Sequence, residues 1–179
     1  MLRDGVLAGT AIVVAGAGEL GAAVRERAAA LGAEVGERAV DPWGEEEAFE
    51  GRADVLVYDG AAVAEQGVRA ALDGAWLAIR PVATAAMFER GGRIVLLAPG
   101  PGAAEAEAAR AGLENLARTL SVEWARRQVR PVAILPGDAT SPAEVAELVA
   151  FLASPAGEYY SGCAFTLGAV ARREQDPSR

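Results

Sequence analysis

With 179 residues, 52% of them apolar, the chain has the size and hydrophobic content of one folded domain rather than of a disordered segment. Its formal charge of −8, from 17 basic against 25 acidic residues, has the opposite sign from that of a nucleic-acid binder. All 17 basic residues are arginine, so no Schiff base, Ser-His-Asp triad, P-loop lysine or histidine base is available, and the single Cys163 excludes an internal disulfide and a Cys/His zinc site.

The apolar run 10–15 predicts a first strand, and 19–31 a helix. A less apolar strand is expected at 33–40 and a short turn of helix at 45–49. Residues 54–58 predict a strand, 61–90 two helices, 93–98 a strand, 103–127 a long helix, 129–135 a strand, 142–153 a helix and 164–167 a last strand. Near-continuous apolar runs are what parallel strands covered on both faces require. Strands alternating with helices imply an α/β domain with right-handed crossovers. The helix at 142 is marked most clearly: Ser141 is a capping serine, Pro142 takes the first helical position and Glu144 closes a capping box. Residues 1–170 read as one domain and 171–179 as a polar tail. No run reaches the ~18 apolar residues of a membrane span. The start of the chain reads as a buried strand and not as a signal peptide, which makes the cytoplasm the expected compartment.

The segment Gly16-Ala17-Gly18-Glu19-Leu20-Gly21 follows the first strand and opens the first helix. It has the spacing G-x-G-x-x-G in the context that gives that spacing meaning. The first glycine permits the turn, the second lets a backbone approach a pyrophosphate, and the third lets helix pack on strand. Helix-terminal N–H groups then face an anion. Glu19 suits the helix dipole but opposes a phosphate at the same place. Asp41, twenty positions after Gly21, stands where a ribose-binding carboxylate is expected, and Asp41-Pro42 equally suits the start of a turn. Arg38 is the nearest cation for a 2′-phosphate.

Five further pieces resemble the short-chain dehydrogenase/reductase family in the family's own order. Residues 54–61, Asp-Val-Leu-Val-Tyr-Asp-Gly-Ala, resemble its strand into Asn-Asn-Ala-Gly. Residues 92–98 resemble the strand before its catalytic serine, and 109–123 the long helix that carries Tyr-x-x-x-Lys. Residues 132–137 resemble its strand and Pro-Gly turn, and 142–162 its last helix and the approach to its last strand. The resemblance implies a Rossmann-like doubly wound parallel sheet with helices on both faces. It also implies a site for NAD or NADP drawn from Gly16, Gly18, Leu20, Gly21, Asp41, Asp59 and Gly60.

The departures from that family are as informative. Its tyrosine and lysine positions hold Ala106 and Arg110, its serine position falls on Ala98 or Pro99, and its helix asparagine falls near Ala75 or Trp76. No catalytic residue and no metal site is therefore expected, and dinucleotide binding is expected to be weak. The three tyrosines offer no replacement; Tyr58, Tyr159 and Tyr160 are expected to pack or to form an interface. Eighteen positions separate Asp41 from Asp59, too few for the usual helix-strand-helix, so six strands are expected instead of seven, with the loss at the adenine edge. No residues remain after Gly137 for a substrate loop. The two long helices, with Trp76, Met87, Phe88, Leu120 and Trp124, and the last strand with Phe165, suggest an assembly surface. The leading expectation is a non-catalytic subunit that pairs with itself or with an active relative. The alternatives are a NAD(P)-binding sensor module, and an active oxidoreductase using Glu105, Glu107 or Asp138 as acid or base.

Overall fold

The computed structural model describes residues 2–102 and 104–168. The predicted tail 171–179, and residue 103 at the expected start of the long helix, lie outside the described residues. Six parallel strands form one sheet in the order β2-β1-β3-β4-β5-β6. They are β1 (Ala11–Ala15), β2 (Glu34–Arg38), β3 (Val55–Asp59), β4 (Gly92–Leu97), β5 (Val129–Leu135) and β6 (Ala164–Thr166). Helices α1 (Glu19–Ala30) and α4 (Pro142–Ala153) cover one face, sharing a core with Val14, Val57, Val95 and Ile134. Helices α2 (Val68–Val82) and α3 (Ala104–Glu123) cover the other, around Leu56, Tyr58, Ile94 and Leu96. The four central strands are apolar on both faces because both faces are roofed.

The sheet is the expected six-stranded one, and the absent strand is the one beyond β2. Residues 41–53 form no strand. The turn of helix expected at 45–49 is also absent, and that stretch is irregular. The carbonyls of Glu47 and Ala48 are taken by the Arg38 guanidinium, at 2.5 and 3.4 Å, while Phe49 packs onto the α2 side of the core. A remote side chain thus satisfies backbone groups that a local helix would otherwise have used.

The expected pair of helices at 61–90 is a 3₁₀ segment (Gly60–Gln66), α2, and a π-helical turn (Ala83–Met87). Pro81 near the end of α2 lacks the N–H that regular α-helix needs, and the widened turn follows directly. Helix α4 occupies its predicted span, with the capping box formed: Glu144 N–H donates to Ser141 Oγ at 3.3 Å and Ser141 N–H to Glu144 Oε2 at 2.8 Å. The Ser141 N–H and hydroxyl, both donating to Oε2, hold the Glu144 carboxyl below the usual carboxylate range.

Tyr58 behaves as a packing residue. It is fully buried and its hydroxyl donates to the Ala71 carbonyl at 2.9 Å. Burial, with Asp59 alongside, raises its pKa well above the ordinary value. Tyr160 packs against Phe151 and Phe165, whereas Tyr159 stands free of the core at 93% exposure.

Candidate functional site

The chain leaves β1 toward one edge of the sheet and returns through β3 toward the other. A ligand crevice in a doubly wound sheet opens at such a reversal, outside the carboxyl ends of the strands. The glycine turn at the end of β1 meets Asp59 and Gly60 at the end of β3 here. Asp59 is fully buried, and its Oδ2 accepts the Gly21 N–H at 2.8 Å. A Cβ on Gly18 would lie 2.5 Å from that oxygen, and one on Gly16, where φ is +103°, would lie 3.1 Å from the Asp59 carbonyl. The glycines are therefore needed where they stand, but what they admit is a carboxylate of the chain itself.

Burial raises the Asp59 pKa above its ordinary value, outweighing the N–H groups of Gly21, Ala62 and Ala61 and the charge of Arg25. Among the described residues, Asp59 Oδ1 is buried without a well-formed hydrogen bond. Gly60 is equally confined: a Cβ there would meet the Leu97 carbonyl at 2.8 Å and Leu113 Cδ1 at 2.9 Å. Leu20 packs instead into the core beneath α1.

Asp41 stays outside this constellation. It is exposed, its Oδ1 accepts the Trp43 N–H at 3.0 Å and its carbonyl accepts the Gly44 N–H at 3.2 Å, so it shapes a turn. Arg38 is spent on two carbonyls, and Arg25 pairs with Glu37 at 3.0 Å. The cavity beside the end of β2, about 390 Å³, is lined by Arg38 together with Asp41, Glu45, Glu46 and Glu47.

The other half of the crevice lies at the ends of β4 and β5. Arg110 reaches across it from α3, donating through Nη1 to the Pro99 carbonyl at 2.6 Å and the Pro136 carbonyl at 2.7 Å. Its side chain is only 11% exposed, and Glu107 stands 3.8 Å from Nε. The residue at the lysine position thus ties two strand ends together, one turn beyond Ala106. Beyond Gly137 the backbone turns at once: Thr140 Oγ1 accepts the Gly137 N–H at 2.9 Å, and α4 starts at Pro142. Glu105, Glu107 and Asp138 are exposed to solvent. Among the described residues, no group of three or more His, Cys, Asp or Glu side chains is placed to hold a metal ion. No described helix is long and apolar enough to cross a membrane.

The fold resembles that of short-chain dehydrogenases/reductases of known structure. No protein-family model matches the chain, and no curated protein does. Among solved structures, the chain is similar to the citronellol catabolism dehydrogenase AtuB of Pseudomonas aeruginosa PAO1, with 26% identity and a TM-score of 0.76 over 93% of this chain and 96% of that one. A hydroxysteroid dehydrogenase from Escherichia coli matches in fold at 19% identity and a TM-score of 0.76, over 92% of this chain and 98% of the other. BdcA in complex with NADPH matches at 19% identity and a TM-score of 0.71, covering 90% and 94%.

The residues present do not fit a tightly held dinucleotide. The Gly21 N–H is already satisfied from within, a buried carboxylate lies under the phosphate turn, and Glu19 heads the helix. Sequence reasoning placed the glycine turn and the Asp59-Gly60 pair but missed that Asp59 occupies the turn, and it missed the span of Arg110. Two substitutions carried the signal: an acid at the family's second asparagine and an arginine at its lysine.

Proposed function

We propose that this chain is a non-catalytic, short-chain dehydrogenase/reductase-like subunit that works in the cytoplasm by assembling with itself or with an active relative. One observation carries the reading: both halves of the ancestral crevice are filled by the chain's own charged groups, Asp59 under the glycine turn and Arg110 across the strand ends. A guanidinium held by two carbonyls has no proton to exchange at neutral pH, and Ala106 has none at all. General acid–base help alone is worth ~10²–10⁴-fold. Neither the wild-type chain nor A106Y/R110K is expected to oxidise NADPH above background with common ketones, because the substrate loop is still missing from the double variant. Turnover by either protein would overturn the proposal.

The assembly surface is narrower than the sequence suggests. Leu113 and Leu120 are buried, and Leu116 and Trp124 pack on the same core, because α2 lies beside α3 and takes up that stripe. Met87 is buried as well. What remains outside is Trp76, 40% exposed and 6.3 Å from the Trp124 ring, with Trp43 and Val122. Large exposed aromatics beside an aromatic cluster support a contact face. At tens of micromolar the wild-type chain is expected to sediment as an oligomer, and Trp76→Asp as a monomer of unchanged circular dichroism. A wild-type monomer with no partner in native co-purification would sink this reading.

A second reading, a NAD(P)-binding module, is favoured by the strand–turn–helix itself and by the NADPH complex of BdcA. Equilibrium dialysis against NADPH separates the two, since a sensor must bind it at micromolar concentrations.

A further inference from the structure

The opposite end of the sheet, where the strands begin, carries an unusual charge arrangement. Strands β4 and β5 pair so that Arg93 lies beside Arg130. Neighbouring strands are ~4.8 Å apart and paired residues project from the same face, so two guanidinium-bearing side chains stand side by side. Like charges in that relation destabilise a sheet. Arg90, in the turn just before β4, joins them in lining a cavity of about 340 Å³, together with Gln128.

Two carboxylates also line this cavity, and neither cancels the excess. Asp54 is committed elsewhere: its Oδ2 accepts the Ala11 N–H at 2.8 Å and lies 2.7 Å from Arg52 Nη2. Glu158 is more than half exposed and stands 3.7 Å from Arg93 Nη2, a loose contact. Among the described residues, Arg90 and Arg130 have no ion-pair partner within 4.0 Å. Arg93 is only 18% exposed; its Nη1 donates to the Ala153 carbonyl at 2.5 Å, but its Nε is buried without an acceptor. Burial and the neighbouring Arg130 both pull the Arg93 pKa below its ordinary value, against the pull of Glu158 and Asp54. A buried donor left unsatisfied calls for an absent partner.

We propose that Arg90, Arg93 and Arg130 form a binding site for a phosphate-type dianion, either inorganic phosphate or the phosphate of a small monoester. An oxyanion between the guanidinium groups removes the like-charge cost and supplies acceptors to their forked donors, the geometry in which arginine binds phosphate. The cavity leaves room for a small organic group beyond the phosphate. The site lies at the amino ends of the strands, away from the crevice, so it is independent of dinucleotide binding. It concentrates positive charge in a chain whose net charge is −8, which marks the patch as local and not as general basicity.

The test is thermal unfolding and isothermal titration of the full chain with sodium phosphate, glycerol phosphate, succinate and chloride at matched ionic strength. Phosphate is expected to raise the melting temperature where chloride does not, and to bind more tightly than succinate. Arg130→Ala and the exposed Arg90→Ala should each weaken phosphate about tenfold, while Arg69→Ala, at the start of α2 at the other end of the sheet, should leave it unchanged. Arg90→Ala keeps the test informative should Arg130→Ala fold poorly. Tighter binding of glycerol phosphate than of phosphate assigns a monoester, and equal or weaker binding assigns free phosphate; either supports the site. Equal responses to phosphate and chloride, succinate equal to phosphate, or an equal loss in Arg69→Ala would overturn it.

Discussion

Arg110→Ala is expected to unfold roughly 6–12 °C below the wild type. Removing the guanidinium leaves the carbonyls of Pro99 and Pro136 without their donor, and both residues are buried. A hydrogen bond from a charged donor contributes about 1.5–3 kcal/mol, so losing two costs about 3 kcal/mol or more. For a chain of this size each kcal/mol moves the midpoint by roughly 2–4 °C. The bonds join the turns after β4 and β5 to α3, so the loss should appear in the global transition and not as fraying of one loop. Arg110→Lys distinguishes bracing from charge: a single ammonium lacks the planar fork and is expected to recover only part of the loss. Scanning calorimetry decides this. An Arg110→Ala midpoint within about 2 °C of the wild type would show that the crossing is incidental.

Asp59→Asn should have the opposite sign. The folded pKa of Asp59 is raised above the unfolded value of ~3.9. A group of that kind contributes stability that is fully present below the unfolded pKa and lost as pH rises through the folded one. Above that raised pKa the wild type carries an ionised, buried carboxylate, while asparagine keeps an acceptor for the Gly21 N–H without the charge. The variant should melt above the wild type at pH values above the raised pKa of Asp59, with the gap closing as pH falls through it. The same change removes a negative charge from beneath the glycine turn. A charge interaction of ~1.4 kcal/mol is modest at such separations, so NADPH should bind the variant about tenfold more tightly than the wild type. An unchanged affinity would mean that the turn excludes the dinucleotide by shape.

Much of the fold could be read from the sequence because its signals are local. Strands β1 and β3 to β6 are short apolar runs with clear boundaries, and α4 announces itself through Ser141, Pro142 and Glu144. That residues 41–53 hold no strand followed from the short spacing set against the family resemblance. What the sequence did not show depends on contacts between distant positions. The 45–49 stretch looked helical, but Arg38 claims its carbonyls from across a turn. Gly21 and Asp59 are 38 positions apart and meet only because β1 and β3 are neighbours. Leu120 and Trp124, read as part of an assembly surface, turn out to pack on the core that α2 and α3 share. The pairing of Arg93 with Arg130 needs the strand register, which no periodicity in either strand specifies.

Among the described residues no strand lies beyond β2, which forms the margin of the sheet. Its residues are largely exposed, and Glu34 gives that margin a charge repulsive toward any second copy that approaches it edge-on, whereas Glu37 is paired with Arg25. The ladder between β1 and β2 is intact over all its partners, Ala11 to Ala15 against Glu34 to Arg38. A strand at the border of a sheet has hydrogen-bonded neighbours on one side only. Excising it breaks a single ladder, whereas cutting out an interior strand would sever two and separate the roofing helices. Such a scaffold tolerates pruning from its rim inward, because every central strand keeps both of its ladders.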